Sequence, residues 1–226
     1  MTPALLDNIA WHTLAGPHRH WSVGDDRIRR YAPGFSPIIG FADPARPDFD
    51  ALAPHCAPGE HFYCDGWSGP APPGWQVEAE TTMSRMVWLG GTPDVDATLD
   101  VAPLDAPHAA QAVALAELTR PGPFALRTPE LGEYFGVFDG ERLVAMAGER
   151  MHAGTLREIS GVCTHPDHQG RGLARRLVLL LVRRQLARGE TPFLHVMNDN
   201  TGARRLYERL GFRTRQDVVV RVVAPR

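Results

Sequence analysis

The chain has 226 residues, enough for one large domain or two compact ones, and its 24 basic against 26 acidic residues leave a formal net charge of -2. That balance supplies no whole-chain positive field to recruit nucleic acid. All of the Lys+Arg count is arginine, so Schiff-base and P-loop chemistry, which need a lysine ammonium, are excluded.

Up to about residue 98, Pro and Gly recur every few positions (GFSPIIGFADPARPDFD, DGWSGPAPPGW), which predicts short elements with many turns. The best strand of this half is Glu78 to Leu89. Three cysteines, Cys56, Cys64 and Cys163, form no disulfide framework, and the opening MTPALLDNIAWHTLAGPHRHW has no positive stretch ahead of an apolar core. No run approaches the roughly 18 apolar residues of a membrane span. A soluble, cytoplasmic protein with no membrane partner is expected. His55, Cys56, His61 and Cys64 in HCAPGEHFYC are potential zinc ligands, but their spacing gives neither CxxC nor HxxxH. No metal is expected there. His18 and His20 in PHRHW could line an acceptor pocket.

After Leu99 the pattern changes, which divides the chain into residues 1–98 and 99–226. Asp105 can cap a helix through AAQAVALAEL, with Val113, Leu115 and Leu118 on its apolar face. Tyr134 to Asp139 and Arg142 to Met151 read as a hairpin across Asp139-Gly140, and Leu156 to Thr164 as a third strand. A glycine-containing corner follows, and then a helix whose apolar stripe is Leu173, Leu177, Val178 and Leu181, stopped at Gly189. Pro192 to Met197 is a buried strand. Asp199 or Asn200 can cap a helix from Thr201 to Leu210, Gly211 closes it, and Asp217 to Val223 is the last strand. The order helix, three strands, helix, strand, helix, strand implies an α/β fold with a mixed sheet.

A strand that turns through glycines into a helix aims unpaired N–H groups and the positive end of the helix dipole at one spot, which suits phosphate. Gly170 and Gly172 allow close backbone approach and Arg171 adds charge; the plainer reading is that the glycines only turn the chain. A dinucleotide fingerprint fails because Arg175 occupies the third glycine position and Glu190 precedes the next strand instead of ending it.

QGRGLA matches Gln/Arg-x-x-Gly-x-Gly/Ala through Gln169, Gly172 and Ala174, and NTGARRLYERLGF matches Asn-x-x-Ala-x-x-x-Tyr-x-x-x-Gly-Phe through Asn200, Ala203, Tyr207, Gly211 and Phe212. In this pairing the sequence resembles the GNAT (Gcn5-related) N-acetyltransferases, and REISGVCTHPDHQGRGLARRL is most similar to their FR47-like, glycine-N-acyltransferase-like branch. The resemblance covers residues 99 to about 223. It implies a mixed, mostly antiparallel sheet flanked by helices, with a central strand pair, Ile159 to Thr164 and Pro192 to Met197, splayed into a slot for acetyl-CoA. It further implies that the amides of Gln169, Gly170, Arg171, Gly172, Leu173 and Ala174 hold the pyrophosphate, and that Val162, Cys163 and Thr164 bond the pantetheine. The Val162 amide would polarise the thioester carbonyl, and Asn200 would reach the pantetheine from the far wall. The resemblance to the two-part members of this branch further implies that the first half, residues 1–98, is a worn-down copy of the same fold, lacking QxxGxA, that packs on the second and shapes the acceptor site.

Direct acyl transfer to an amine in a ternary complex needs a proton acceptor, stabilisation of the oxyanion and a donor to the departing thiolate. Tyr207 is the expected donor, its alternative being one more member of an apolar stripe. Glu158 is the expected base, its alternative a carboxylate paired with Arg157 or Arg150. His165 and His168 are further candidates for the base, but they flank the phosphate corner and are expected to help shape it, and Cys163 in an apolar strand is a small hydrophobe. The function expected is acetyl-CoA-dependent N-acetylation of a small primary amine, with a non-catalytic CoA-binding regulator as the alternative. The charge balance gives mild support to a cationic acceptor.

Overall fold

The computed structural model describes residues 3–94 and 98–226. In chain order its elements are α1 (Pro3–Asp7), α2 (Ile9–Ala15), β1 (Ser22–Gly24), β2 (Ile28–Tyr31), β3 (Ile39–Phe41), α3 (Phe49–Leu52), β4 (Phe62–Asp65) and β5 (Trp75–Trp88). There follow β6 (Ala102–Pro103), α4 (Ala109–Thr119), β7 (Tyr134–Asp139), β8 (Arg142–Ala153), β9 (Leu156–Thr164), α5 (Leu173–Ala187), β10 (Thr191–Met197), α6 (Thr201–Leu210) and β11 (Phe212–Pro225).

Local signals place most of the second half. Asp105 and His108 form a capping box, but over a single 3₁₀ turn that leads into α4. The side chains that α4 buries are Ala112, Leu115 and Ala116; Leu118, expected on the apolar face, is 54% exposed. Asn200, not Asp199, caps α6 by accepting from the Ala203 N–H at 3.1 Å. Gly211 closes α6 at φ 124, a backbone conformation favourable only to glycine.

An eight-stranded sheet runs β4-β11-β5-β10-β9-β8-β7-β6, antiparallel throughout except for the β9–β10 pair, beside a small sheet β1-β2-β3. The mixed, mostly antiparallel sheet flanked by helices is thus present. The sheet draws strands from both sides of residue 98. β5 comes from the first half yet sits between β10 and β11, pairing Met86 with Leu194 on one side and with Thr214 on the other. β4 pairs with β11 as well. One ladder therefore crosses residue 98, and the first half contributes two strands to the common sheet instead of building a second sheet of the same design. The same pairing explains why β11 begins at Phe212 and not near Asp217: Trp88 of β5 is there to meet it.

Side chains alternate across this sheet. Leu194 and Val196 of β10 point to a core shared with Leu177, Val178 and Leu181 of α5 and Tyr207 of α6. Phe193 points the other way, into a core with Ile9, Ala10 and Leu14 of α2. The first half thus caps one face while α5 and α6 cover the other.

His18 is buried in the join between the halves and is not among the residues lining the cavity described below, and His20 stacks on Trp21 at the surface. The acceptor-pocket expectation for these two residues is corrected. His18 Nδ1 lies 2.8 Å from the Tyr31 hydroxyl, and its ring is 4.7 Å from that of His152 on β8. Burial, then the charges of His152 and Arg157, pulls its pKa down to about 3; burial likewise takes His152 to about 4. The unfolded chain therefore takes up protons below about pH 6.5 that the folded chain refuses, so stability falls as pH drops through that value. For fully buried His18 the slope reaches up to about 1.4 kcal/mol per pH unit. Urea midpoints measured from about pH 7.5 down to about pH 5 should fall steadily and His18→Phe should flatten the curve; a flat wild-type profile would contradict this account.

Candidate active site

The parallel pairing of β9 and β10 runs from Leu156↔Thr191 to Ile159↔Leu194 and then stops, although β9 continues to Thr164 and β10 to Met197. Beyond that point the strands part. β9 also loses register with β8 there, because Gly148 pairs with Ser160 and Met146 with Cys163, leaving Gly161 and Val162 outside the ladder. Such a bulge re-aims backbone groups. Gly161 has φ 65, a conformation that favours glycine, and a Cβ on it would come 3.2 Å from the Tyr134 ring, so a side chain there would have to push that ring aside.

A cavity of about 370 Å³ opens where the strands part. Ser160, Gly161 and Val162 of β9, His195 to Met197 of β10, and Asn200, Ala203 and Tyr207 at the start and face of α6 supply one part of its wall. Ile38, Tyr63, Asp65 and Thr81 of the first half supply another. Of the residues expected at the site, Glu158, Val162, Asn200 and Tyr207 therefore share one cavity.

Cys163 and Thr164 do not line it. The Cys163 side chain packs into the core under α4, and burial pushes its thiol up to about 11. Only the backbone of these two residues remains available to a ligand in the slot.

The glycine corner lies farther along the same strand. Gly170 (φ 77) and Gly172 (φ 73) both adopt left-handed conformations, and Gly172 is the N-cap of the 15-residue α5. Gln169, Gly170, Arg171 and Gly172 are exposed, whereas Leu173 is buried and anchors the first turn, with Ala174 half-buried. Open N–H groups at the positive end of a long helix, with no Cβ in front of them, form a ready anion cradle. His165 Nδ1 accepts from the Asp167 N–H at 3.2 Å, its Nε2 meets Arg142, and His168 Nε2 lies 3.0 Å from Asp139 Oδ2. Both histidines brace the corner from behind.

Tyr207 is buried, its ring edge-on to Phe212 at 6.0 Å, and it lines the cavity. Burial, with a smaller contribution from Cys163, raises its pKa to about 12, so the phenol keeps its proton at neutral pH. That protonation state suits a donor.

Glu158 departs from its expected role. Its carboxylate takes two bonds from Arg150 (3.0 and 2.8 Å), one from the Met151 N–H (3.1 Å) and one contact with His195 Nδ1 (2.8 Å). Burial alone would push this carboxyl up, but the Arg150 charge and the bonds from His195 and Arg150 outweigh it and hold the pKa at about 2. A fully engaged, strongly acidic carboxylate is a poor proton acceptor near neutral pH. Arg157, the other partner considered, pairs with Glu190 instead. The cavity is also lined by a residue that the sequence pattern did not single out: His195, in the strand TPFLHVM, apolar but for it and the opening Thr191. The signal available was one ring nitrogen pair inside a run of buried hydrophobes.

Three of the four potential zinc ligands in HCAPGEHFYC have other surroundings. His61 Nδ1 meets Glu78, Cys56 bonds the Leu52 carbonyl and Cys64 is buried in the core. Among the described residues no three His, Cys, Asp or Glu side chains converge as a metal site would need, and no helix is long and apolar enough to cross a membrane.

Comparison with known proteins agrees with this geometry. The FR47-like protein family matches residues 134–222. A mycothiol acetyltransferase of Streptomyces scabiei is 40% identical over 83 residues, and one of Gordonia bronchialis 39% over 79 residues. Those matches cover 36% and 34% of this chain but only 27% and 26% of the relatives, so the chain spans about a quarter of their length. A GCN5-related N-acetyltransferase from Kribbella flavida shares the fold at a TM-score of 0.61 and 16% identity, over 99% of this chain and 96% of its own. A structure described as a GNAT-family acetyltransferase, from Novosphingobium aromaticivorans, superposes with a TM-score of 0.86 and 33% identity over 98% of both chains. Matched end to end by a relative of this identity, the chain belongs to the GNAT family of acetyltransferases.

Proposed function

We propose that the protein transfers the acetyl group of acetyl-CoA to a small primary amine, both substrates being bound together. The observation that carries this reading is the single cavity at the parting of β9 and β10, whose wall holds Val162, Asn200 and Tyr207. Acetyl-CoA fits the residues present. The amides of Gly170 to Ala174 at the α5 N-terminus, with Arg171 beside them, would take the pyrophosphate, the Gln169 N–H being already spent on the Pro166 carbonyl at 3.2 Å, and the free edge of β9 from Val162 to Thr164 would bond the pantetheine. The Val162 amide, outside both ladders, would face the thioester oxygen. Tyr207, still protonated, would donate to the departing sulfur. Asn200 already spends its side-chain oxygen on the α6 cap, which leaves its amide nitrogen for the pantetheine.

The acceptor would enter from the other side, over Ile38, Tyr63 and Thr81 of the first half. That would be the role of residues 1–98 at the site. Both carboxylates lining the cavity are committed, Asp65 to Arg85 and Glu158 to Arg150. A polycation would therefore find no free negative partner among the described lining residues, which weakens the case for a strongly cationic acceptor. The curated relatives are named for mycothiol; an amine joined to polar, uncharged groups is compatible with this wall.

The test is CoA release from acetyl-CoA over a panel of primary amines, with titration calorimetry of acetyl-CoA alongside. Tyr207→Phe should lower kcat by roughly 100-fold while acetyl-CoA affinity changes less than about twofold. Acetyl-CoA binding without turnover on any amine would favour a CoA-binding regulator, and no binding at all would remove the reading.

A further inference from the structure

Past its opening Thr191, β10 has one polar side chain, His195, and it stands at the first position past the last parallel pair, Ile159↔Leu194. The His195 side chain is 7% exposed, lines the cavity and packs edge-on against Phe193 at 5.6 Å. Its Nδ1 lies 2.8 Å from Glu158 Oε1, while Nε2, also buried, has no hydrogen-bond partner among the described residues. A buried nitrogen without a partner is uncommon and asks for an explanation. Glu158, ionised and held by Arg150 and the Met151 N–H, can only accept. Nδ1 therefore carries the ring hydrogen in the neutral form, and the lone pair is on Nε2. Directly across the β5–β10 ladder stands Arg85, which is paired with Asp65 of β4. The ring is thus surrounded by two cations, Arg150 and Arg85, each matched by a carboxylate.

We propose that His195 Nε2 is the proton acceptor for the amine, with Glu158 as the positioning residue that fixes the ring and Arg150 fixing Glu158. The proposal rests on the acyltransfer reading above. As the amine nitrogen bonds the acetyl carbonyl carbon, its surplus proton passes to Nε2; the C–S bond breaks and the sulfur takes the Tyr207 proton. His195 then returns its proton to solvent and Tyr207 regains one. Alternation puts His195 on the face toward the first half and Tyr207 in the core with α5 and α6, so base and acid sit on opposite sides of the slot. Acceptor amine and departing thiol need that separation.

Two measurements test this. Nitrogen-15 NMR of the histidines in the intact wild-type chain should find His195 as the Nδ1–H tautomer at neutral pH; an Nε2–H tautomer, or a ring that stays doubly protonated through neutral pH, overturns the proposal. With the best amine among glycine, ethanolamine, putrescine and L-alaninamide, His195→Gln should lower kcat by roughly 100-fold or more and flatten the acid limb of the kcat profile. The KM for acetyl-CoA should stay within about twofold. Glu158→Gln should lower kcat less, by about tenfold, because it disorders the ring without removing it. A His195→Gln enzyme within about threefold of wild type overturns the assignment and leaves acetyl transfer standing, whereas a wild type that releases no CoA with any amine overturns both.

Discussion

Gly172→Glu should abolish acetyl-CoA binding while leaving the fold intact. Gly172 caps α5 in a left-handed conformation (φ 73), and a Cβ built there meets nothing within 4 Å. The new side chain therefore has room. Its carboxylate would occupy the spot where the helix dipole and the open N–H groups favour an anion, so the helix itself gains from the charge. The backbone conformation costs about 1 kcal/mol. The pyrophosphate, however, would meet a negative charge already seated in its cradle. A loss of at least about 100-fold in affinity, or roughly 2.7 kcal/mol, is expected by calorimetry. Gly172→Asn separates charge from strain, because Asn tolerates the left-handed region and is neutral. It should bind acetyl-CoA within about tenfold of wild type. Equal loss in both variants would mean that conformation, not the anion site, governs binding.

Asp65→Ala should be among the most destabilising single changes available in this chain. Arg85 lies fully buried on β5, with Nη2 2.7 Å from Asp65 and Nη1 2.9 Å from the Asp7 carbonyl. The guanidinium thereby ties α1, β4 and β5 together, which is the seam between the first half and the common sheet. Removing Asp65 leaves a buried cation with no counter-charge, at a cost of about 3–5 kcal/mol in urea unfolding. Replacing both members together, Arg85→Met with Asp65→Leu, should recover most of that loss, because the apolar pair has no charges to desolvate. If the double variant is as unstable as Asp65→Ala, the contribution lies in the geometry of the bonds and not in the unpaired charge. Asp65 also lines the cavity, so acetyl-CoA affinity measured on the double variant reports whether the seam shapes the slot.

The sequence by itself determined the elements from Tyr134 to Gly211. β7, β9 and α6 have the predicted ends, and α5 follows the predicted corner. These signals are local: strand alternation, an Asx cap at Asn200, left-handed glycines at Gly170, Gly172 and Gly211. Each is decided within a few residues of itself, so it reads the same in the unfolded chain as in the fold. The glycine corner at Gly170 and Gly172 and the face of α6 that carries Tyr207 were legible for the same reason, as they sit at fixed positions on such elements.

What only the tertiary structure decided is which strands meet and which charges they bring together. Nothing near Trp75 to Trp88 announces that this strand inserts between β10 and β11, since its partners lie more than 100 residues away and a ladder is indifferent to sequence distance. The same long-range meeting turns Glu158 from a candidate base into a carboxylate locked by Arg150, and turns the histidine of TPFLHVM into a cavity-lining ring with one free nitrogen. The state of a buried ionisable group depends on neighbours from other strands, and neighbours of that kind exist only once the sheet has closed.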